Sequence, residues 1–144
     1  MLTSTINVFM AAHHKECDEL FAIAEASVAN GDWDKGIMQW QEFSAELEKH
    51  FSREENILFP EFEAQTGSVG GPTQMMRIEH EQMRALVNEI NKAAVDKDSD
   101  QFLGLCETLM MTMQQHNMKE EQMLYPMIDH SMPDVAALID KMNQ

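Results

Sequence analysis

The segment His50-Phe51-Ser52-Arg53-Glu54-Glu55-Asn56-Ile57-Leu58-Phe59-Pro60 returns in the second half as His116-Asn117-Met118-Lys119-Glu120-Glu121-Gln122-Met123-Leu124-Tyr125-Pro126. The same shift carries His14 onto His80. Few intervening residues match, so the identities concentrate on His, Glu and the proline. A His and a Glu four residues apart place imidazole and carboxylate on one helix face, one turn apart. The repeat therefore reads as two helical hairpins of one design packed together.

The punctuation around these segments sets the helix count. Asn30-Gly31-Asp32 predicts a helix stop followed by an N-cap. Phe59-Pro60 and Tyr125-Pro126 predict helix ends, because proline disfavours helix in the residue before it. Gln65 to Pro72 is a glycine-rich loop, and Pro72 can open the next helix. Lys97-Asp98-Ser99-Asp100 is a polar turn with cap candidates, and Ser131-Met132-Pro133-Asp134 opens a short tail helix. The expected helices are about 4–29, 33–59, 73–97 and 100–125, with a tail helix about 133–142, in one domain spanning 1–144. Short connections make neighbours antiparallel, so the expected fold is all-α, an up-down-up-down four-helix bundle with a short C-terminal helix.

Apolar residues spaced three and four apart mark the inward stripes. They run Met10, His14, Cys17, Phe21, Ala24, Val28 and Trp40, Phe43, Leu47, His50, Glu54, Leu58 in the first hairpin. In the second they run Met76, His80, Met83, Val87, Ile90, Ala94 and Cys106, Leu109, Met113, His116, Glu120, Leu124. Residues equidistant from a turn share a level in an antiparallel hairpin. The midpoint of His14 and His50 falls in the Gly31-Asp32 turn, that of His80 and His116 at Asp98-Ser99, and that of Glu54 and His80 in the glycine-rich loop. Four histidines and two glutamates thus meet in one slab of the interior.

Two carboxylates in an apolar slab are expensive without compensation, and no Lys or Arg lies in the four stripes. Metal cations would remove that penalty and use neutral imidazoles as ligands. Mixed nitrogen and oxygen donors without thiolate suit iron, manganese or zinc. Six donors exceed what one structural zinc needs, while two metals bridged by Glu54 and Glu120 use them all. The chain has no Glu-x-x-His signature of the ferritin type.

His14, the doubled His-x3-Glu-Glu running to aromatic-Pro, and His80 resemble the hemerythrin-like HHE cation-binding family over nearly the whole chain. The resemblance implies a non-haem di-iron centre, two iron ions that are oxo- or hydroxo-bridged. His14, His50, His80 and His116 would be terminal ligands, and Glu54 and Glu120 would bridge. Oxygen-carrying members have a further histidine where this chain has Arg84, and His-x4-Asp where it has His116, Glu120 and Glu121. Fewer histidines leave more open coordination for oxygen, nitric oxide or peroxide. Iron-sulfur repair members often carry a cysteine-bearing N-terminal segment; here helix 1 is expected almost at once.

Nearby residues invite other readings. His13 sits off the stripe, its repeat partner is Glu79, and the expectation is a boundary or solvent residue, though it is the first candidate for an extra ligand. Glu55 and Glu121 should face outward from the bridging pair, with Glu121 replacing Glu120 if the last helix is rotated. His130 should be exposed. Cys17 and Cys106 are expected as core fillers too far apart in level for a disulfide, the methionines as soft packing, and Arg77 and Arg84 as solvated.

Composition bounds the partners. Lys plus Arg is 10 against Asp plus Glu 25, a formal charge of −15. Such a surface repels phosphates, which excludes nucleic acid and anionic membrane as partners of a basic face. No apolar run reaches spanning length and no signal-peptide pattern is visible, so a cytoplasmic protein is expected, a monomer or small homo-oligomer. The expected function is binding of a diatomic ligand, oxygen or nitric oxide, for sensing, storage or protection. The alternatives are a di-iron enzyme acting on peroxide or nitric oxide with a redox partner, and an iron donor for iron-sulfur cluster repair.

Overall fold

The computed structural model describes residues 4–68 and 70–144; residues 1–3 of the expected domain and Val69 of the glycine-rich loop lie outside them. Helix α1 spans Ile6–Ala29. It begins where the Thr5 hydroxyl accepts the Val8 N–H at 3.0 Å. Its first turn carries no acidic residue. Asp129, from the far end of the chain, supplies the missing negative charge. Its carboxylate accepts the N–H groups of Ile6 and Asn7 at 2.7 and 3.1 Å. Gly31, at φ +82°, ends the helix. The Asp32 carboxylate then accepts the Lys35 N–H at 3.2 Å to open the next one.

Helix α2 runs Trp33–Arg53, widens into a π-helical turn at Glu54–Leu58, and continues over Phe59–Thr66. Helix α3 spans Pro72–Val95. Helix α4 repeats the plan of α2 as Ser99–Lys119, a π-helical turn at Glu120–Leu124, and Tyr125–Ser131. Helix α5, Val135–Met142, starts at an Asp134 cap and buries Leu138 and Met142. The all-α bundle with a short C-terminal helix is as expected. Among the described residues no helix is long and apolar enough to cross a membrane.

The two proline expectations fail in an instructive way. Neither Pro60 nor Pro126 stops its helix; α2 continues to Thr66 and α4 to Ser131. A proline ring in an ordinary helix clashes with the carbonyl four residues back and forfeits a hydrogen bond. Here the preceding turn is wider, with the Phe59 N–H bonded to the Glu54 carbonyl and the Tyr125 N–H to that of Glu120. The extra residue in each turn makes room for the ring. The true end of α2 is Gly67, at φ +71°.

Every expected stripe residue is buried except Val87, which is half-buried. The apolar interior falls into two bodies. One, at the end of the bundle that carries the Gly31 and Asp98 turns, centres on Phe21, Trp40, Phe43, Phe102 and Leu109. The other joins Ile6, Met10, Leu58, Phe59, Leu124 and Tyr125 to Leu138 and Met142 of α5. Between them lies a polar layer.

Candidate metal centre

That layer holds His14, His50, Glu54, His80, His116 and Glu120, all buried, with both glutamates at 0% exposure. Each helix contributes where the stripe demands: one histidine from α1, one from α3, and a His-x3-Glu pair from α2 and from α4. His14 Nε2 lies 3.0 Å from Glu120 Oε1, and His80 Nε2 lies 3.1 Å from Glu54 Oε1. Within the pairs, His50 Nε2 is 3.4 Å from Glu54 Oε1 and His116 Nε2 is 3.3 Å from Glu120 Oε1. His50 Nε2 stands farther from Glu120 Oε1, at 3.9 Å.

Outer hydrogen bonds decide which nitrogen faces inward. His14 Nδ1 is 2.7 Å from Glu121, His80 Nδ1 is 2.6 Å from Glu55, and His116 Nδ1 is 2.8 Å from Glu79. A carboxylate only accepts, so each Nδ1 carries a proton and each Nε2 faces into the layer, where a cation would take the place of any proton it holds. His50 achieves the same through another histidine. His13 Nε2–H donates to Glu46 at 2.7 Å, which leaves His13 Nδ1 to accept the His50 Nδ1–H at 2.9 Å. Such outer partners fix imidazole orientation and raise ligand basicity.

His13 is therefore not a boundary or solvent residue: it is buried, and it backs His50 as Glu79 backs His116. The correspondence of His13 with Glu79 in the repeat was the available signal. Glu121 faces the outer nitrogen of His14, so Glu120 is the inward residue of its pair. Arg84 is not simply solvated either. It bonds Glu55, Glu48 and Glu81 and lies over the Phe51 ring, holding the carboxylate that holds His80. Arg77 pairs with Glu63 and lies over the Phe59 ring. His130 is exposed as expected. Cys17 and Cys106 are free and buried, and burial pushes both thiols up to about 12, so neither offers a thiolate.

Sequence reasoning missed Tyr125 as a member of the layer. Its hydroxyl donates to Glu54 Oε2 at 2.7 Å and stands 2.9 Å from Glu120 Oε1, 3.2 Å from His14 Nε2 and 3.4 Å from His50 Nε2. Tyr125 follows Glu120 by five positions. In an ordinary α-helix that interval points to different faces. The π-helical turn brings both to the same one.

The electrostatics reflect desolvation against pairing. Burial lowers His50 to about 3 and His80 to about 4, keeping both imidazoles neutral. Burial also pulls on His14 and His116, but Glu120 with Glu121, and Glu120 with Glu79, outweigh it and leave both raised. Two carboxylates this close cannot both ionise freely. Burial and the Glu120 charge raise Glu54 well above the ordinary carboxyl range. Burial acts the same way on Glu120, but His116, Glu54 and His14 hold it well below.

The donor set fits metal cations. Glu54 Oε1, His80 Nε2, His116 Nε2 and Glu120 Oε2 are buried and make no hydrogen bond. Unpaired buried polar atoms are rare and costly, and a cation would satisfy all four. Two groups of donors lie within mutual ligating reach: Glu54, His80, His116 and Glu120, and His14, His50 and Glu120. They share Glu120, so two cations can sit side by side. The family model described as the Hemerythrin HHE cation binding domain matches residues 5–128. No curated protein and no solved structure matches the chain.

Proposed function

We propose that this chain, which belongs to the hemerythrin HHE cation-binding family, holds two iron ions and takes up a diatomic ligand, oxygen or nitric oxide, for sensing, storage or protection. His14 and His50 would serve one position, His80 and His116 the other, and Glu54 and Glu120 would span both. The observation that carries the reading is the set of buried, unpaired nitrogen and oxygen atoms converging from four helices. Donors of this kind accept iron, and manganese and zinc as well. Iron, when bound, supplies reversible redox chemistry and open coordination positions to a small ligand.

The chain's own residues do the rest. Glu121, His13, Glu55 and Glu79 hold the four imidazoles with their Nε2 atoms inward. The Phe51 ring stacks on His80 at 4.0 Å and Phe59 stacks on it at 6.0 Å, and His80 is fully buried. A cavity of about 450 Å³ lined by Phe9, His13, Glu46, Lys49 and Arg53 opens at His13, the residue that backs His50.

The test is an anaerobic titration of the chain with ferrous iron, followed by oxygen and then nitric oxide. Two irons retained per chain, with separate spectral changes on each gas, support the reading. A chain that retains no iron overturns it. Sustained peroxide consumption would favour the enzyme reading, and transfer of iron to an apo-cluster protein would favour the donor reading.

A further inference from the structure

We propose that Tyr125 is itself a metal ligand, the third protein side chain at the His14/His50 position beside the bridging glutamates, and that it makes the two iron positions unequal. The proposal rests on the di-iron reading above and refines it. Ligands at about 2.0–2.2 Å from one ion, at angles of about 90–110°, lie ~2.9–3.5 Å from each other. The Tyr125 oxygen lies 3.2 Å from His14 Nε2, 3.4 Å from His50 Nε2 and 2.9 Å from Glu120 Oε1. Those are the spacings of neighbours around one ion. The contact with Glu54 Oε2 is shorter, 2.7 Å, because the phenol O–H donates to it.

The repeat supplies an internal control. Tyr125 stacks on His14 at 5.7 Å and Phe59 stacks on His80 at 6.0 Å, so the two rings hold equivalent places. Only one carries an oxygen. The ring of Phe59 offers no donor to the His80/His116 position, which keeps an open site for an outside ligand. The Tyr125 oxygen fills the corresponding place on the other side. Ligation breaks the phenolic O–H bond, forms an oxygen–iron bond and releases one proton to solvent water. No oxidant is needed for this step.

The chain has one tyrosine, so a tyrosinate signal belongs to Tyr125 alone. The experiment titrates the full chain with ferrous iron under argon, following iron per chain, the near-ultraviolet tyrosinate difference band and proton release. Wild type should gain the band as one of its two irons binds. Tyr125→Phe should lack it, release one proton fewer, and bind iron about tenfold or more weakly at one position only. Iron binding in wild type without the band overturns the proposal and leaves the di-iron reading standing. Failure of wild type to bind iron overturns both. The wild-type spectrum decides the matter even if Tyr125→Phe does not fold.

Discussion

Glu54→Gln separates the needs of folding from those of metal binding. Glu54 is fully buried, and burial with the neighbouring Glu120 charge raises its pKa well above the ordinary carboxyl range, which favours the protonated acid in the absence of a cation. Glutamine has nearly the shape of that protonated acid, and its carbonyl can still accept the Tyr125 hydroxyl that Glu54 Oε2 now accepts at 2.7 Å. In chelator, the variant should therefore unfold within about 1 kcal/mol of wild type. With metal the comparison changes. Glu54 Oε1 lies 3.1 Å from His80 Nε2 and 3.4 Å from His50 Nε2, between the two positions. Outer partners of metal ligands are worth about 10- to 100-fold in affinity, so an inner carboxylate should be worth about 100-fold or more. At free iron about a thousandfold above the dissociation constant, one site stabilises the fold by about 4.1 kcal/mol, and a 100-fold weaker site by about 1.4 kcal/mol. Urea unfolding under argon, with chelator and with ferrous iron, measures both quantities. An equal iron-dependent shift in Glu54→Gln would refute the assignment. A loss of several kcal/mol in chelator would refute the protonated-acid argument.

His13→Ala should leave the His50 Nδ1–H without its acceptor, weakening iron binding about 10- to 100-fold while the chain still folds, as read by iron titration and circular dichroism. In chelator, stability should fall as pH drops below 6.5. His50 and His80 have folded values of about 3 and about 4, so between those values and 6.5 the unfolded chain binds more protons than the folded one. Each adds a slope of about 1.4 kcal/mol per pH unit across its window, and His50→Gln should flatten that limb in urea melts at stepped pH. His14 and His116, raised by their glutamates, act in the opposite sense, their contribution being lost as pH rises through their folded values. Gly36→Ala would place a Cβ 2.7 Å from Val28 Cγ2, lowering stability by about 1–3 kcal/mol. On a Val28→Ala background the same change should have little further effect in thermal melts.

The bundle and its polar layer were legible because stripe spacing and hairpin midpoints are properties of ordinary helices, and α1 and α3 are ordinary throughout. Legibility failed where the helix is not ordinary. Nothing in the letters Glu54–Leu58 announces a wide turn, so Pro60 and Pro126 read as stops, and Tyr125 was not placed in the layer. His13 was misplaced for a related reason. A stripe marks what points to the bundle axis, whereas His13 points sideways at α2, where its partner His50 also belongs to the layer. The Arg84 contacts with Glu48 and Glu55 cross between helices, and no periodicity reports which surface charges meet.

The wide turn in α4 couples two distant parts of the molecule. Tyr125 and Asp129 follow it at one-turn spacing, the first reaching the histidine layer and the second holding the start of α1. Regular α winding through Glu120–Leu124, with no residue removed, would swing everything downstream by roughly 100°. The phenol would leave the layer and Asp129 would let go of Ile6 and Asn7 in the same motion. One wide turn thus clamps the opening helix and aims the phenol, and neither arrangement changes without the other.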